Sequence, residues 1–196
     1  MKKWIPALVL AVAAPLAAGS LTEEERDFAM SSLHASRKLF LDTIAGLSEA
    51  QWKFKPAPDR WSIAEVAEHV TMTEGFLYSL VTDKVMKTEP VTDRAPVKRE
   101  QDEEFLVRMR DRGKKAKATE EMSPTGKWPT PAAAAEAFKT ERDRNIAYIR
   151  TTQDDLRSHF QGKMDAYQYF ILIAGHAERH VAQMNEVKSD PKYPRQ

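Results

Sequence analysis

The 196-residue sequence contains no cysteine. That absence removes disulfides, thiolate metal ligands, a cysteine nucleophile, c-type haem attachment and a lipid-modified cysteine from consideration. Stability must come from an apolar core and, where one binds, from a metal ion. The chain also lacks a charge excess, with 30 Lys and Arg against 29 Asp and Glu for a formal net charge of +1. The two signs interleave, as in Glu23-Glu24-Glu25-Arg26-Asp27 and Glu141-Arg142-Asp143-Arg144, a pattern expected of solvated helix faces and not of a phosphate-binding stripe. No nucleic acid is expected as a partner.

A long apolar run occurs once, from Ile5 to Ala18. It is shorter than the roughly 20 residues a membrane-spanning helix needs. A basic start (Lys2, Lys3) precedes it and the small residues Ala17-Ala18-Gly19-Ser20 follow, which is the layout of a secretory signal peptide. Residues 1–19 are therefore expected to be a signal peptide and residues 20–196 a single exported domain, periplasmic or extracellular. Cleavage would remove two lysines and no acid, taking the net charge from +1 to −1. No stable membrane span is expected in the mature protein.

Within that domain the helix signals are strong. Thr22 and Glu25 form a capping box, and the stripe Ala29, Leu33, Phe40, Ile44, Leu47 predicts a helix from about 22 to 47, ending near Gly46. Lys55-Pro56-Ala57-Pro58-Asp59 reads as a loop, because two prolines remove amide donors and bias their predecessors to extended backbone. A second box, Ser62 to Glu65, opens a helix to about residue 86 along Ile63, Val66, Val70, Leu77 and Leu80. The charged, proline-punctuated stretch from Glu89 to Trp128 predicts a surface segment, partly mobile, with room for an additional short helix between Glu100 and Lys117. Thr130-Pro131 starts a third long helix reaching about residue 152, and Asp165 caps a fourth reaching about Lys188, after a loop through His159 and Gly162. No strand-like alternation or internal repeat competes, so the fold class is all-α, a four-helix bundle.

Three histidines stand out. On the last helix Tyr169, Ile173, His176, His180, Gln183 and Val187 recur every three or four residues, an inward-facing seam. Two imidazoles and an amide thus occupy positions where apolar side chains usually pack, and each buried polar group left unpaired costs about 1–3 kcal/mol. His176 and His180, four apart, present both rings to one point, and His69 on the second helix can supply a third. Glu178 lies two residues from each histidine, about 200° round the helix, so the His-Glu-x-x-His and His-x-x-Glu-His protease arrangements do not apply. Glu65, one turn before His69, and Gln183, three residues after His180, are candidates for outer-shell orientation or substrate contact. His34 is expected to be partly exposed, His159 to sit in a turn, and Met164 and Met184 to fill the core.

The segments Trp61-Ser62-Ile63-Ala64-Glu65-Val66-Ala67-Glu68-His69-Val70 and His176-Ala177-Glu178-Arg179-His180-Val181-Ala182-Gln183 resemble the second and last helices of the DinB superfamily, specifically its DinB-like four-helix bundles with a three-histidine metal site. Pro124 to Pro131 resembles the family's approach to the third helix. The resemblance covers residues 22 to about 188. It implies an up-down-down-up bundle in which His69, His176 and His180 bind zinc, nickel or a similar divalent metal ion. It is compatible with a homodimer. The leader separates this chain from cytosolic members that use bacillithiol or mycothiol.

The leading expectation is an exported metal-dependent hydrolase or transferase acting on a small-molecule substrate, since three neutral imidazoles leave a bound ion its full charge and an open position. A non-catalytic metal-binding or ligand-sensing bundle is the alternative. A third reading has the histidines hydrogen-bonding within the core without metal.

Overall fold

The computed structural model describes residues 19–113 and 118–195. The expected signal peptide therefore lies, but for Gly19, outside the described residues. Helices α1 (Glu23–Ile44), α2 (Glu49–Lys53), α3 (Ile63–Asp83), α4 (Arg99–Arg110), α5 (Pro131–Thr151) and α6 (Ala166–Lys188) follow in order, with single 3₁₀ turns at Val85–Lys87 and Glu120–Met122. The boundary signals act as expected: capping boxes form at Thr22/Glu25, Ser62/Glu65 and Asp165/Gln168, and Thr130 caps α5 ahead of Pro131. Gly46, at φ +67°, takes the left-handed position just past α1.

Cross-helix contacts fix the topology. Tyr167 Oη donates to the Glu25 carbonyl and Lys188 Nζ to that of Thr43, so α1 and α6 run parallel. Phe40 stacks on Phe138 at 3.8 Å between ring centroids while Arg26 donates to the Ile149 carbonyl, which makes α5 antiparallel to α1. Glu74 meets Arg142 and Tyr78 meets Tyr148, so α3 and α5 are parallel. The bundle is up-down-down-up, as a crossover from residue 84 to 130 requires.

A polar layer divides the core. Below it pack Leu33, Leu77, Val81, Ile146, Phe170 and their neighbours; above it pack Phe40, Val66, Val70, Phe138, Val181 and theirs. Between the two, Arg142 Nε donates to Glu74 at 2.9 Å, and its Nη1 donates to the Leu33 carbonyl and Ser36 Oγ. The interleaved charges around Arg142 predict a solvated face, yet its side chain is fully buried. The fault lies in the pattern's locality: its partners sit on α1 and α3.

The structure adds two small elements and corrects two further expectations. Ser48-Glu49-Ala50-Gln51 forms a capping box for α2, too short to show a period, and it buries Trp52. His159, its Nδ1 donating to the Thr88 carbonyl at 2.8 Å, leads into a two-residue hairpin, Phe160–Gln161 against Met164–Asp165, turned at Gly162 with φ +65°. On α3 the inward position is Val81, with Leu80 only partly buried. Finally, α4 is no surface segment: Phe105 and Leu106 pack into the core, and Asp102 is 1% exposed. Asp102 accepts from Arg157, which also holds Glu25 of α1 and Asp165, the residue that caps α6. Among the described residues no helix is long and apolar enough to cross a membrane.

Helix α4 approaches α6 so closely that a Cβ at Gly175 would lie 2.7 Å from Met109 Cβ and 3.4 Å from the Leu106 carbonyl oxygen. Glycine to alanine inside a helix ordinarily gains roughly 0.5–1 kcal/mol. At Gly175 the sign reverses, because Met109 Cβ and the Leu106 backbone cannot yield without moving α4. Gly175→Ala is expected to destabilise by about 1–3 kcal/mol in urea denaturation.

Candidate metal centre

The Ser62/Glu65 box starts α3 so that His69 lands almost two turns in, facing α6. His176 and His180 lie one turn apart on the facing side of α6. The three rings meet at centroid separations of 5.1 Å (His69 and His176), 4.8 Å (His69 and His180) and 4.4 Å (His176 and His180). One ligand nitrogen from each falls within 4.8 Å of the others. His69 is 7% exposed and His180 9%.

Hydrogen bonds assign two tautomers. His69 Nδ1 lies 2.8 Å from the Met122 carbonyl oxygen, which only accepts, so Nδ1 carries the proton and Nε2 a bare lone pair. His180 Nδ1 lies 2.8 Å from Gln183 Oε1, and Arg112 Nη1 reaches the same atom at 3.2 Å. An arginine can only donate, so that Gln183 atom is the carbonyl oxygen and His180 Nδ1 is also a donor. Its Nε2 is likewise a lone pair. His69 Nε2 stands 3.2 Å from His176 Nε2, close to the roughly 3.3 Å between tetrahedral zinc ligands held at about 2.0–2.1 Å. Two inward lone pairs, with the His176 nitrogen at hydrogen-bond distance from one of them, form a protected cluster that fits a divalent cation once His176 Nε2 gives up its proton.

The electrostatics agree. Burial pushes the His176 pKa well below the usual imidazole value, reinforced by His180, His69, Arg179 and Arg142. Burial, then His69, pushes His180 down to about 3, against the Gln183 contact that raises it. Burial also lowers His69. All three rings are neutral at pH 7, the form that binds metal. A histidine depressed in the folded state keeps its full contribution above the unfolded value near 6.5 and loses it as pH falls toward its folded value. The metal-free protein should therefore lose roughly 2 kcal/mol between pH 6.5 and 5 through His180 alone. Urea midpoints at those two pH values check this, and His180→Gln should reduce the difference, with His176 and His69 accounting for what remains.

The other expected residues sort clearly. Gln183 orients His180. Glu65 does not reach the cluster: Oε2 accepts from the Ser62 amide at 2.7 Å and Oε1 from Lys55 Nζ at 2.9 Å. Its part in the capping box was the readable signal that its carboxylate was already engaged. Glu178 turns away to Arg110. His34 is exposed, Met164 is partly buried and Met184 sits in the core.

Two contributors have no local sequence signal. Glu68, 3% exposed, accepts from the amides of Thr125 (2.7 Å), Gly126 (2.9 Å) and Lys127 (3.0 Å) and from Thr125 Oγ1 (3.0 Å). It clamps the segment whose preceding turn delivers the Met122 carbonyl to His69. Arg112, beyond α4, holds Gln183 from above. The histidines open onto a cavity of about 680 Å³ whose wall includes Trp61, Arg60, Arg112, Arg179, Asp59 and Ser123. Its size is that of a small-molecule site.

Comparison with known proteins places these features in context. A family model described as the DinB superfamily matches residues 32–184, a span that contains all three histidines and Gln183. The chain is 28% identical over 165 residues to "Uncharacterized protein YuaE" of Bacillus subtilis (strain 168), covering 81% of this chain and 96% of that one. No solved structure matches.

Proposed function

The chain belongs to the DinB superfamily, and from that premise we propose that it is an exported metal-dependent enzyme, a hydrolase or transferase acting on a small molecule. One observation carries the reading: three neutral imidazoles converge at the floor of an open cavity, with no fourth protein ligand from histidine or a carboxylate joining them among the described residues. Structural zinc sites are usually closed by four protein ligands, whereas reactive ones keep a position free. Zinc or nickel bound there supplies a Lewis acid of undiminished charge with room for a substrate atom.

The chain's own residues do the rest. Met122 and Gln183 hold the His69 and His180 rings in the tautomers that face inward. Glu68 keeps the Met122 segment docked, and Trp61, 5.1 Å from His69 between ring centroids, walls the site. Export is supported by the leader-like residues 1–19. Mass spectrometry of protein recovered from the producing cell's exterior fractions should show a mature N-terminus near Ser20.

The test loads the protein with zinc or nickel and assays ester, amide and phosphate hydrolysis and thiol transfer beside His69→Ala. Activity abolished by His69→Ala with little change in melting temperature supports the proposal. A large fall in melting temperature and no activity in either protein overturns it in favour of a structural metal.

A further inference from the structure

Arginines crowd the wall of the metal cavity. Among the described residues it carries the guanidinium groups of Arg60, Arg112 and Arg179 and the carboxylate of Asp59, and Arg179 has an interaction of its own. Behind them stands Glu186, whose carboxylate takes Arg112 Nε at 2.9 Å and Nη2 at 2.8 Å and lies 3.6 Å from Arg60. One carboxylate thus holds two guanidinium groups beside each other at the rim. A divalent ion on three neutral imidazoles adds two positive charges and brings no negative ligand, so the loaded site carries a surplus that neither a neutral nor a cationic ligand relieves.

The geometry at Arg112 gives the surplus a direction. Its fork is fixed by Glu186 on one edge and by Gln183 Oε1 on Nη1, and Gln183 Oε1 also accepts the His180 proton. The guanidinium therefore stands one amide group away from a metal ligand. Among the described residues three of its five N–H donors are used in these contacts, leaving two for a ligand. A rigid, half-satisfied fork suits a planar carboxylate or a phosphate. Trp61 supplies apolar surface on the same wall.

We propose that this cavity takes a small substrate bearing an oxyanion, a carboxylate or a phosphate, which Arg112 and Arg60 bind beside the three-histidine centre. The proposal rests on the metal-site reading and names the substrate class for it. The bland account of these arginines is that Glu186 merely ties α6 to the segments carrying Arg60 and Arg112.

Isothermal titration calorimetry of the zinc-loaded full-length protein separates the two, with succinate and inorganic phosphate as probes and succinamide as the neutral control. Zinc content is measured on every sample. Binding of succinate or phosphate is expected, with succinamide at least 100-fold weaker, and whichever anion binds tells carboxylate from phosphate. Arg60→Gln should weaken it about 10- to 100-fold, the range of one charge-assisted hydrogen bond, with zinc stoichiometry retained, and Arg112→Gln should weaken it at least as much. Arg60, at the rim and partly exposed, is the variant least able to disturb folding. Zinc-loaded protein that binds neither anion, or whose arginine variants bind them as wild type does, overturns the substrate class and leaves the metal site standing. Protein that takes up no zinc overturns both.

Discussion

Alanine at His176 is expected to lower zinc affinity by about two to three orders of magnitude. Four-ligand structural zinc sites gain roughly 10–16 kcal/mol in all, so one ligand accounts for about 2.5–4 kcal/mol, and each 1.4 kcal/mol is tenfold. His176 stands 3.2 Å from His69 Nε2 and one helical turn from His180, so its loss leaves two nitrogens from different helices, and among the described residues no other histidine or carboxylate joins the cluster. Competition with a chromogenic chelator measures the change. Thermal unfolding gives a second readout: saturating zinc at about 1,000 times Kd stabilises by roughly 4 kcal/mol, and the variant should show little of that gain at the same concentration.

Arg142→Met lowers stability by about 3–5 kcal/mol, because it strands the Glu74 carboxylate in the centre of the bundle. For a domain of this size that is roughly 6–20 °C in melting temperature. Both side chains are almost completely buried, and Arg142 also satisfies the Leu33 carbonyl and Ser36. Adding Glu74→Leu removes the stranded charge, so the double variant should recover most of the loss. A double variant as unstable as the single one would mean that the packing of Arg142, and not its ion pair, matters. Calorimetry on the three proteins decides it.

The contrast between these two sites shows what a linear sequence reveals. The histidine seam was legible because its spacing is local: four residues on one helix put His176 and His180 on one face whatever surrounds them. The starts of the long helices were legible for the same reason, since a capping box needs only four residues, whereas α1 and α3 stop at Ile44 and Asp83, short of the expected 47 and 86. Arg142 was misread because its burial depends on Glu74, 68 residues away, and on Ser36, 106 away. The Glu68 clamp spans 57 to 59 residues, and a backbone carbonyl such as that of Met122 leaves no mark in composition. Helix α4 looked too poor in apolar residues to be core, yet two adjacent ones, a bare Gly175 opposite and an Asp102 neutralised by Arg157 suffice to seat it. Glu65 was the reverse case, a local signal assigned to the wrong role.

X-ray absorption at the zinc edge, on protein loaded with zinc and dialysed, tests the centre most directly. One zinc per chain with three imidazole nitrogens at about 2.0–2.1 Å is the predicted result, with the imidazole scattering reduced in His69→Ala. Zinc well below one per chain, or an unchanged spectrum when His69, His176 and His180 are all replaced, would contradict it.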